Sequence, residues 1–388
     1  MAIVTTTRYS NTDTTNIAID MSDTLYMISP FDVPLLQLIG KSSLSVPCTA
    51  VKHEWLEDEL RGLDSTVVTI GELASGDVAL STTTCTAGGG LKFRVGDIVE
   101  VTSAVGVELI RLTSAMSTDT FVVANQSGGG RGYAGSTPLS HSGLPTLRII
   151  GNANLQDAAL GGSRTTTKAG RYNYTQIYED AIVVTSTAQA IKKWVEQNEM
   201  DAQIGRALKV AWIEWERTLI SGRKVATTNA IAGAMDGILP VLTTNAYAKA
   251  GAYLTEDHLL TALQDCWVQG GRPNYVVANA FQKRQMNKFL DSMRMTTRTD
   301  RVAGAVVDTY SSDFGTVNIM LDRNMPKDTV LVIESDRIGF GPLTDHSLGV
   351  TVIPQTTALK DTRQITGQYT SETRNEAAHA KITGLATA

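Results

Sequence analysis

The chain has 388 residues, of which 42% are apolar and only 19% charged, and its net charge is −5. That length holds two or three domains with a conventional core, and low charge with abundant Gly, Thr and Ala fits either a surface covered by neighbouring molecules or a β-rich secreted protein. The negative balance excludes a dedicated nucleic-acid reader with a basic stripe, but not a wall that merely encloses nucleic acid.

In chain order, residues 1–28 are rich in Thr, Asn and Asp without periodicity, a polar arm that cannot bury itself and must lie across a partner or stay unordered. Pro34 then opens a short helical turn that Gly40 ends. From 45 to 185 the texture is that of strands. Lys92, Arg94, Asp97 and Glu100 interleave with Phe93, Val95, Ile98, Val99 and Val101, and Gly96-Asp97 marks a turn or bulge. Strands continue at 107–112, 121–123 and 147–150, so residues 88–152 read as a small β module. Asp97, Glu100 and Glu108 fall at alternating positions, which predicts a solvated face.

Residues 186–220 read as one helix of roughly 50 Å, with Ser186 and Gln189 as a capping box and Ser221-Gly222 as the stop. Leu208, Ala211, Trp212, Trp215 and Leu219 form an apolar stripe in its second half. Leu208, Trp212, Trp215 and Leu219 are the expected anchors of the helix to its own sheet. The first half sets Lys192, Lys193, Glu196, Glu199 and Asp201 around Ile191, Trp194 and Val195 and is expected to be more exposed. Gly205 costs about 1 kcal/mol inside a helix and points to a close approach.

Residues 255–305 form a compact α/β piece. Thr255 caps a helix whose face is Leu259, Leu260, Leu263, Cys266 and Trp267, and Gly270-Gly271 stops it. A strand at 275–277 leads to Asn279 and Gln282, which open the next helix. Strands return at 316–321, 329–333, 350–353 and 363–373.

No chemistry emerges along this path. Cys48, Cys85 and Cys266 fit neither a disulfide framework nor a zinc site and read as buried thiols in a reducing compartment. No signal peptide and no apolar run of membrane length are visible, so a chain made in the cytosol with no membrane partner is expected. His53, His141, His258, His346 and His379 form no ligand set and read as surface or helix-end residues. The Gly-rich run 128–132 lacks the helix start that an anion cradle needs. Lys360, Arg363, Arg374 and Lys381 are interrupted by Asp361, Glu372 and Glu376, a pattern of ion pairs on a sheet rather than a nucleic-acid site. No catalytic residue, cofactor or metal is predicted, and the chain is not expected to be an enzyme.

Four stretches in order carry a resemblance: 28–36 after the polar arm, 171–177 with 183–187, the helix end Trp215-Glu216-Arg217-Thr218-Leu219-Ile220-Ser221-Gly222, and the tail 367–373 with 375–379. In this order the chain resembles the major capsid proteins of tailed bacteriophages with the Hong Kong 97-type fold, in the branch whose extended loop carries a β insertion. The resemblance implies an α+β fold. Its parts are an N-terminal arm (1–28), a peripheral-domain start (29–45), an extended loop (46–185) with the β module (88–152), a spine helix (186–224), an axial domain (225–345) and peripheral C-terminal strands (346–388). It implies self-assembly as pentamers and hexamers into an icosahedral virion shell, assembled in the host cytoplasm. That shell encloses double-stranded DNA without sequence-specific binding, with portal and scaffolding proteins and a decoration protein as further partners. The competing reading is a virion-surface or extracellular β-rich binding or decoration protein that uses residues 88–152 for recognition.

Overall fold

The computed structural model describes residues 31–40, 46, 48–60, 62–69, 80–85, 89–113, 118, 120–125, 129–141, 144–157, 165–191, 198–290, 308–354 and 359–387. The expected arm (1–28) and residues 192–197 of the expected rod lie outside them. The chain divides into two compact units, one of Met1–Trp55 with Gly170–Ala388 and the other of Leu56–Ala169.

The first unit opens with helix α1 (Pro34–Gly40) and strand β1 (Lys52–Glu57). The second then builds one six-stranded sheet from β2 (Asp64–Thr69), β3 (Leu80–Cys85), β4 (Asp97–Ser103), β5 (Gly106–Arg111), β6 (Thr120–Val123) and β7 (Thr146–Asn152), in the order β5-β4-β7-β2-β3-β6. Strand residues alternate between faces, and Val99, Val101, Ile110 and Leu147 all point to one side, where they pack with Cys85, Phe93, Leu112 and Val123. Two strands of this sheet, β2 and β3, precede residue 88. Gly96 makes the turn into β4 with φ +88°, a left-handed conformation that favours glycine, and Asn154 packs against the space a side chain would take.

The chain returns along β8 (Ala169–Tyr174), which pairs with β1, and continues into β9 (Gln176–Thr185), α2 (Ser186–Ala190) and α3 (Glu199–Ser221). The single rod expected over 186–220 is therefore two helices. The cap of α2 is Thr185, which accepts from the Ala188 N–H, rather than Ser186, and Ile191 is already extended at φ −72°, ψ 126°. Asn198 starts α3 afresh, accepting from the Asp201 N–H, with Glu199 and Asp201 placed where the helix dipole favours acids. The 23 residues of α3 span about 35 Å. Gly205 is exposed, with nothing near where a side chain would sit, so the close approach expected there does not occur.

Beyond α3 come α4 (Ile238–Val241), β10 (Ala246–Ala248), α5 (Glu256–Val268), β11 (Tyr275–Ala278), α6 (Ala280–Leu290), β12 (Asp308–Ser312), β13 (Gly315–Leu321), β14 (Val330–Ile333), β15 (Ile338–Pro342), β16 (Gly349–Ile353), β17 (Lys360–Thr373) and β18 (Ala380–Thr383). A mixed sheet runs β10-β18-β14-β11-β13-β12, with β11 parallel to β13 and β10 parallel to β18. Its central strand β14 is buried on both faces, which explains the unbroken Val-Leu-Val-Ile run. Val330 and Val332 face α5 residues Leu259, Ala262, Leu263 and Cys266, while Leu331 and Ile333 face α1 and α3. Trp267 does not join that helix face. It is 58% exposed and lies beside Phe314, with ring centres 6.1 Å apart. A second sheet is organised by the 14-residue β17, which pairs antiparallel with β9, β15 and β16.

Candidate functional site

The sequence-predicted anchors sit on α3 where it crosses the β17 sheet. Trp215 and Leu219 are fully buried in the main core with Leu35, Ile39, Met235, Ile338 and Tyr369. Trp212 is partly buried against the same cluster, and Leu208 packs instead on a smaller one formed by Ile182, Val184, Met200 and Ile365. Trp215 is the centre of an aromatic group, with ring centres 5.1 Å from Tyr369, 5.9 Å from Phe340 and 6.0 Å from Tyr178. Phe340 stacks on Tyr369 at 4.9 Å. The helix ends where Gly222 meets Gly237. The Gly237 N–H donates to the Gly222 carbonyl at 2.8 Å, and a side chain on Gly237 would stand 2.6 Å from Gly222 N. That contact tolerates no Cβ.

Glu216, one residue after Trp215, is wholly buried, a feature that the apolar stripe did not forecast. Its Oε1 accepts the N–H groups of Leu35 at 2.7 Å and Leu36 at 3.3 Å, and its Oε2 accepts Asn324 Nδ2 at 2.6 Å. Asn324 also donates Nδ2 to the Asp32 carbonyl at 3.1 Å and its own N–H to Asp322 Oδ1 at 2.7 Å. One asparagine thus ties α3, the segment before α1 and the turn after β13 into a clasp.

A second buried polar hub joins β8, β17 and the turn before α4. Asn173 Nδ2 donates to the Ser371 carbonyl at 2.8 Å, Asn173 Oδ1 accepts the Asp236 N–H at 2.8 Å, and Ser371 Oγ donates to the Asp236 carbonyl at 2.6 Å. Burial pushes the Asp236 carboxyl up, against the pull of Lys224.

In the second unit the expected solvated face is corrected. Asp97 and Glu108 are buried. Asp97 is satisfied by Asn152 Nδ2 at 2.8 Å and the Arg94 N–H at 3.0 Å. Glu108 receives Arg131 through Nε at 3.0 Å and Nη2 at 2.7 Å, and the N–H groups of Gly132 and Leu139 at 3.1 and 3.0 Å. His141 Nε2 lies 3.2 Å from the same carboxylate and its Nδ1 2.7 Å from Ser103 Oγ. Burial alone would raise the Glu108 pKa, but these donors outweigh it and hold it at about 2. Ser103, His141 and Glu108 have the connectivity of a hydrolytic triad. Its carboxylate, however, is saturated by a buried guanidinium and two backbone donors, and Ser103 Oγ already accepts the Val105 N–H at 3.3 Å. The arrangement fastens the 129–141 loop to β5.

Two of the five histidines, His141 and His379, are buried rather than superficial. His379 Nδ1 accepts the Glu334 N–H at 3.1 Å, and burial pushes its pKa down to about 4. Because the unfolded imidazole binds a proton nearer its ordinary 6.5, stability is expected to fall as pH drops from there toward 4, by up to about 3 kcal/mol. His379→Asn retains an acceptor for Glu334 and is expected to flatten the slope of melting temperature against pH across that window; an unchanged slope counts against the assignment.

The expected ion pairs form, but between near neighbours in the chain rather than across strands: Arg363 Nη2 lies 3.1 Å from Asp361 and Arg374 Nε 2.5 Å from Glu372, while Lys381 Nζ donates to the Leu239 carbonyl. Cys48, Cys85 and Cys266 are buried thiols outside any disulfide, and burial raises Cys266 to about 12, which keeps its thiol protonated. Among the described residues no group of three or more His, Cys, Asp or Glu is arranged to hold a metal, and no helix is long and apolar enough to cross a membrane.

Residues 5–386 match the family of the SU10 major capsid protein. The chain belongs to that family. The protein is therefore a phage major capsid protein that forms the head shell, and its role is structural and not catalytic. This sets aside the rival reading of a decoration or extracellular binding protein. Among solved structures, that of Microbacterium phage Oxtober96 is similar over 97% of this capsid protein and 98% of its own chain, at 10% identity and a TM-score of 0.51. Its likeness shows the fold, a mixed α+β architecture of the Hong Kong 97 type. Mycobacterium phage Ogopogo aligns over 97% and 99% of the two chains (10% identity, TM-score 0.48). The holo-SrpI encapsulin complex of Synechococcus elongatus aligns over 56% and 77% (11% identity, TM-score 0.42). No curated protein matches the chain.

Proposed function

We propose that this capsid protein closes, as pentamers and hexamers, into an icosahedral shell around double-stranded DNA, which it encloses without reading sequence. In this reading residues 1–28 are the arm laid on a neighbour, 46–185 the extended loop with its β module, and α3 the spine. The β10-β18-β14-β11-β13-β12 sheet is assigned to the axial domain and the β17 sheet to the peripheral domain, which moves β18 out of the expected peripheral segment 346–388, β15 out of the expected axial segment 225–345 and β9 out of the expected loop 46–185. The observation that supports it is the excursion of Leu56–Ala169, which has a core of its own and leaves and rejoins the first unit through the paired strands β1 and β8. A loop of that size suits a subunit that reaches across its neighbours. A separate scaffold, a portal and a decoration protein are the further partners that the reading expects.

Ordering an arm costs roughly 1–2 kcal/mol per residue, which contacts with neighbouring subunits must offset. Deleting residues 2–20 is therefore expected to leave a folded protein that assembles poorly. Negative-stain microscopy checks this: closed shells or polyheads from the full chain and discrete particles from the truncated one are the expected result. Normal closed shells from the truncated chain would refute the role of the arm.

A further inference from the structure

Asp322 completes the clasp around Asn324, and its geometry carries a consequence independent of how the shell assembles. Asp322 and Glu216 are both fully buried, and Asn324 bridges them, giving its N–H to one and its Nδ2 to the other. The three donors on Glu216 occupy both of its oxygens, which is the environment of an ionised carboxylate. Asp322 differs. Its Oδ1 accepts from Asn324, while its Oδ2 is buried with no hydrogen-bond partner. A carboxylate oxygen left bare in an apolar interior is strongly disfavoured, whereas a protonated one is not.

The charged groups around the site do not offer Asp322 a cation. Glu216 repels it from α3, and Asp32 repels it from the segment before α1. Arg323 turns toward Asp32 at 3.8 Å, with both side chains partly in solvent. Arg217 Nε donates to Asn324 Oδ1 at 3.2 Å rather than to either acid.

We propose that Asp322 and Glu216 hold one proton between them, resident on Asp322 Oδ2, and that its loss at alkaline pH unfastens residues 32–36 from α3. Burial raises both carboxyls above their ordinary range, with the charge of Asp322 adding to it at Glu216 and that of Asp32 at Asp322; the rise is the larger at Glu216, but a proton there would oppose its three donors, whereas Asp322 Oδ2 has no donor to displace. Acids whose folded pKa is raised contribute stability below the unfolded pKa and lose it as pH rises through the folded one. The clasp is thus closed in acid and at neutrality and strained in base.

The test follows denaturant unfolding of the full chain, D322N and E216Q at about pH 5 and about pH 9. D322N cannot ionise and keeps an acceptor for the Asn324 N–H. The wild-type unfolding constant is expected to rise between the two pH values by more than that of D322N, about tenfold for each unit by which the folded site holds its proton more tightly. Amide exchange in a peptide spanning residues 31–40, corrected for its intrinsic pH dependence, is expected to quicken in base in the wild type and not in D322N. E216Q sets an amide N–H against donors and is expected to weaken the clasp at both pH values. Parallel pH profiles for the wild type and D322N overturn the proposal, as does an E216Q protein as stable as the wild type. If D322N does not fold, the infrared spectrum of the wild type near neutrality decides: a protonated-carboxyl C=O band supports the proposal and its absence overturns it.

Discussion

Replacing Trp215 by alanine is expected to destabilise the subunit by about 3–5 kcal/mol. The side chain is 1% exposed and touches Tyr178, Phe340 and Tyr369, so its removal leaves a cavity that aromatic neighbours fixed on strands cannot fill. Such truncations cost about 3–5 kcal/mol, a large part of the roughly 5–15 kcal/mol that holds a domain folded. Trp215→Phe is a sharper probe. Trp215 Nε1 is buried without a hydrogen-bond partner, so phenylalanine removes an unsatisfied donor along with some volume. Its cost is expected to be under about 1.5 kcal/mol, near that of a tolerated core exchange. Chemical denaturation of the two variants checks the ordering, and equal losses would show that packing at this position is not what secures α3.

Arg131→Met is expected to destabilise the second unit by about 3–5 kcal/mol, because it leaves the buried Glu108 without its guanidinium. The double variant Glu108→Gln with Arg131→Met removes the stranded charge and is expected to recover part of that loss. Sign matters here too. Glu108 sits at about 2 against an ordinary 4.5, so its contribution is present above 4.5 and disappears as pH falls toward 2. Hydrogen exchange of peptides from β4 and β5 reads this unit separately from the rest. Unchanged protection in Arg131→Met would mean that the loop is held by other contacts.

Much of the fold was legible in the sequence where pattern and punctuation agreed. Pro34 and Gly40 bound α1, Thr255 caps α5, and the four apolar residues of β14 are a strand buried on both faces. The break in the central helix was written in Asn198 and Asp201, a cap followed by the residue whose N–H it accepts, but the continuous apolar spacing on either side concealed it. The inward turn of Glu108 was ambiguous for a different reason. In β5 it shares a face with Ile110, yet Val107 and Leu109 make the opposite face equally apolar, so alternation cannot choose between them. Glu216 gave no signal, because its partners, Leu35, Leu36 and Asn324, lie about a hundred residues away or more, and Asp322, though its own partner Asn324 is two residues on, is buried by those same distant elements. Local pattern reports periodicity; it does not report which distant amides a buried carboxylate will serve.

The pairing of β1 with β8 also bears on how such a chain can diversify. The excursion starts at Leu56 and finishes at Ala169, and the hydrogen-bonded strands that flank it hold its two ends together. Closing a loop on ends already held together costs little more when the loop lengthens, about 0.6 kcal/mol for each doubling. The stretch between them can accordingly lengthen or shorten at little entropic cost to the strands that bracket it.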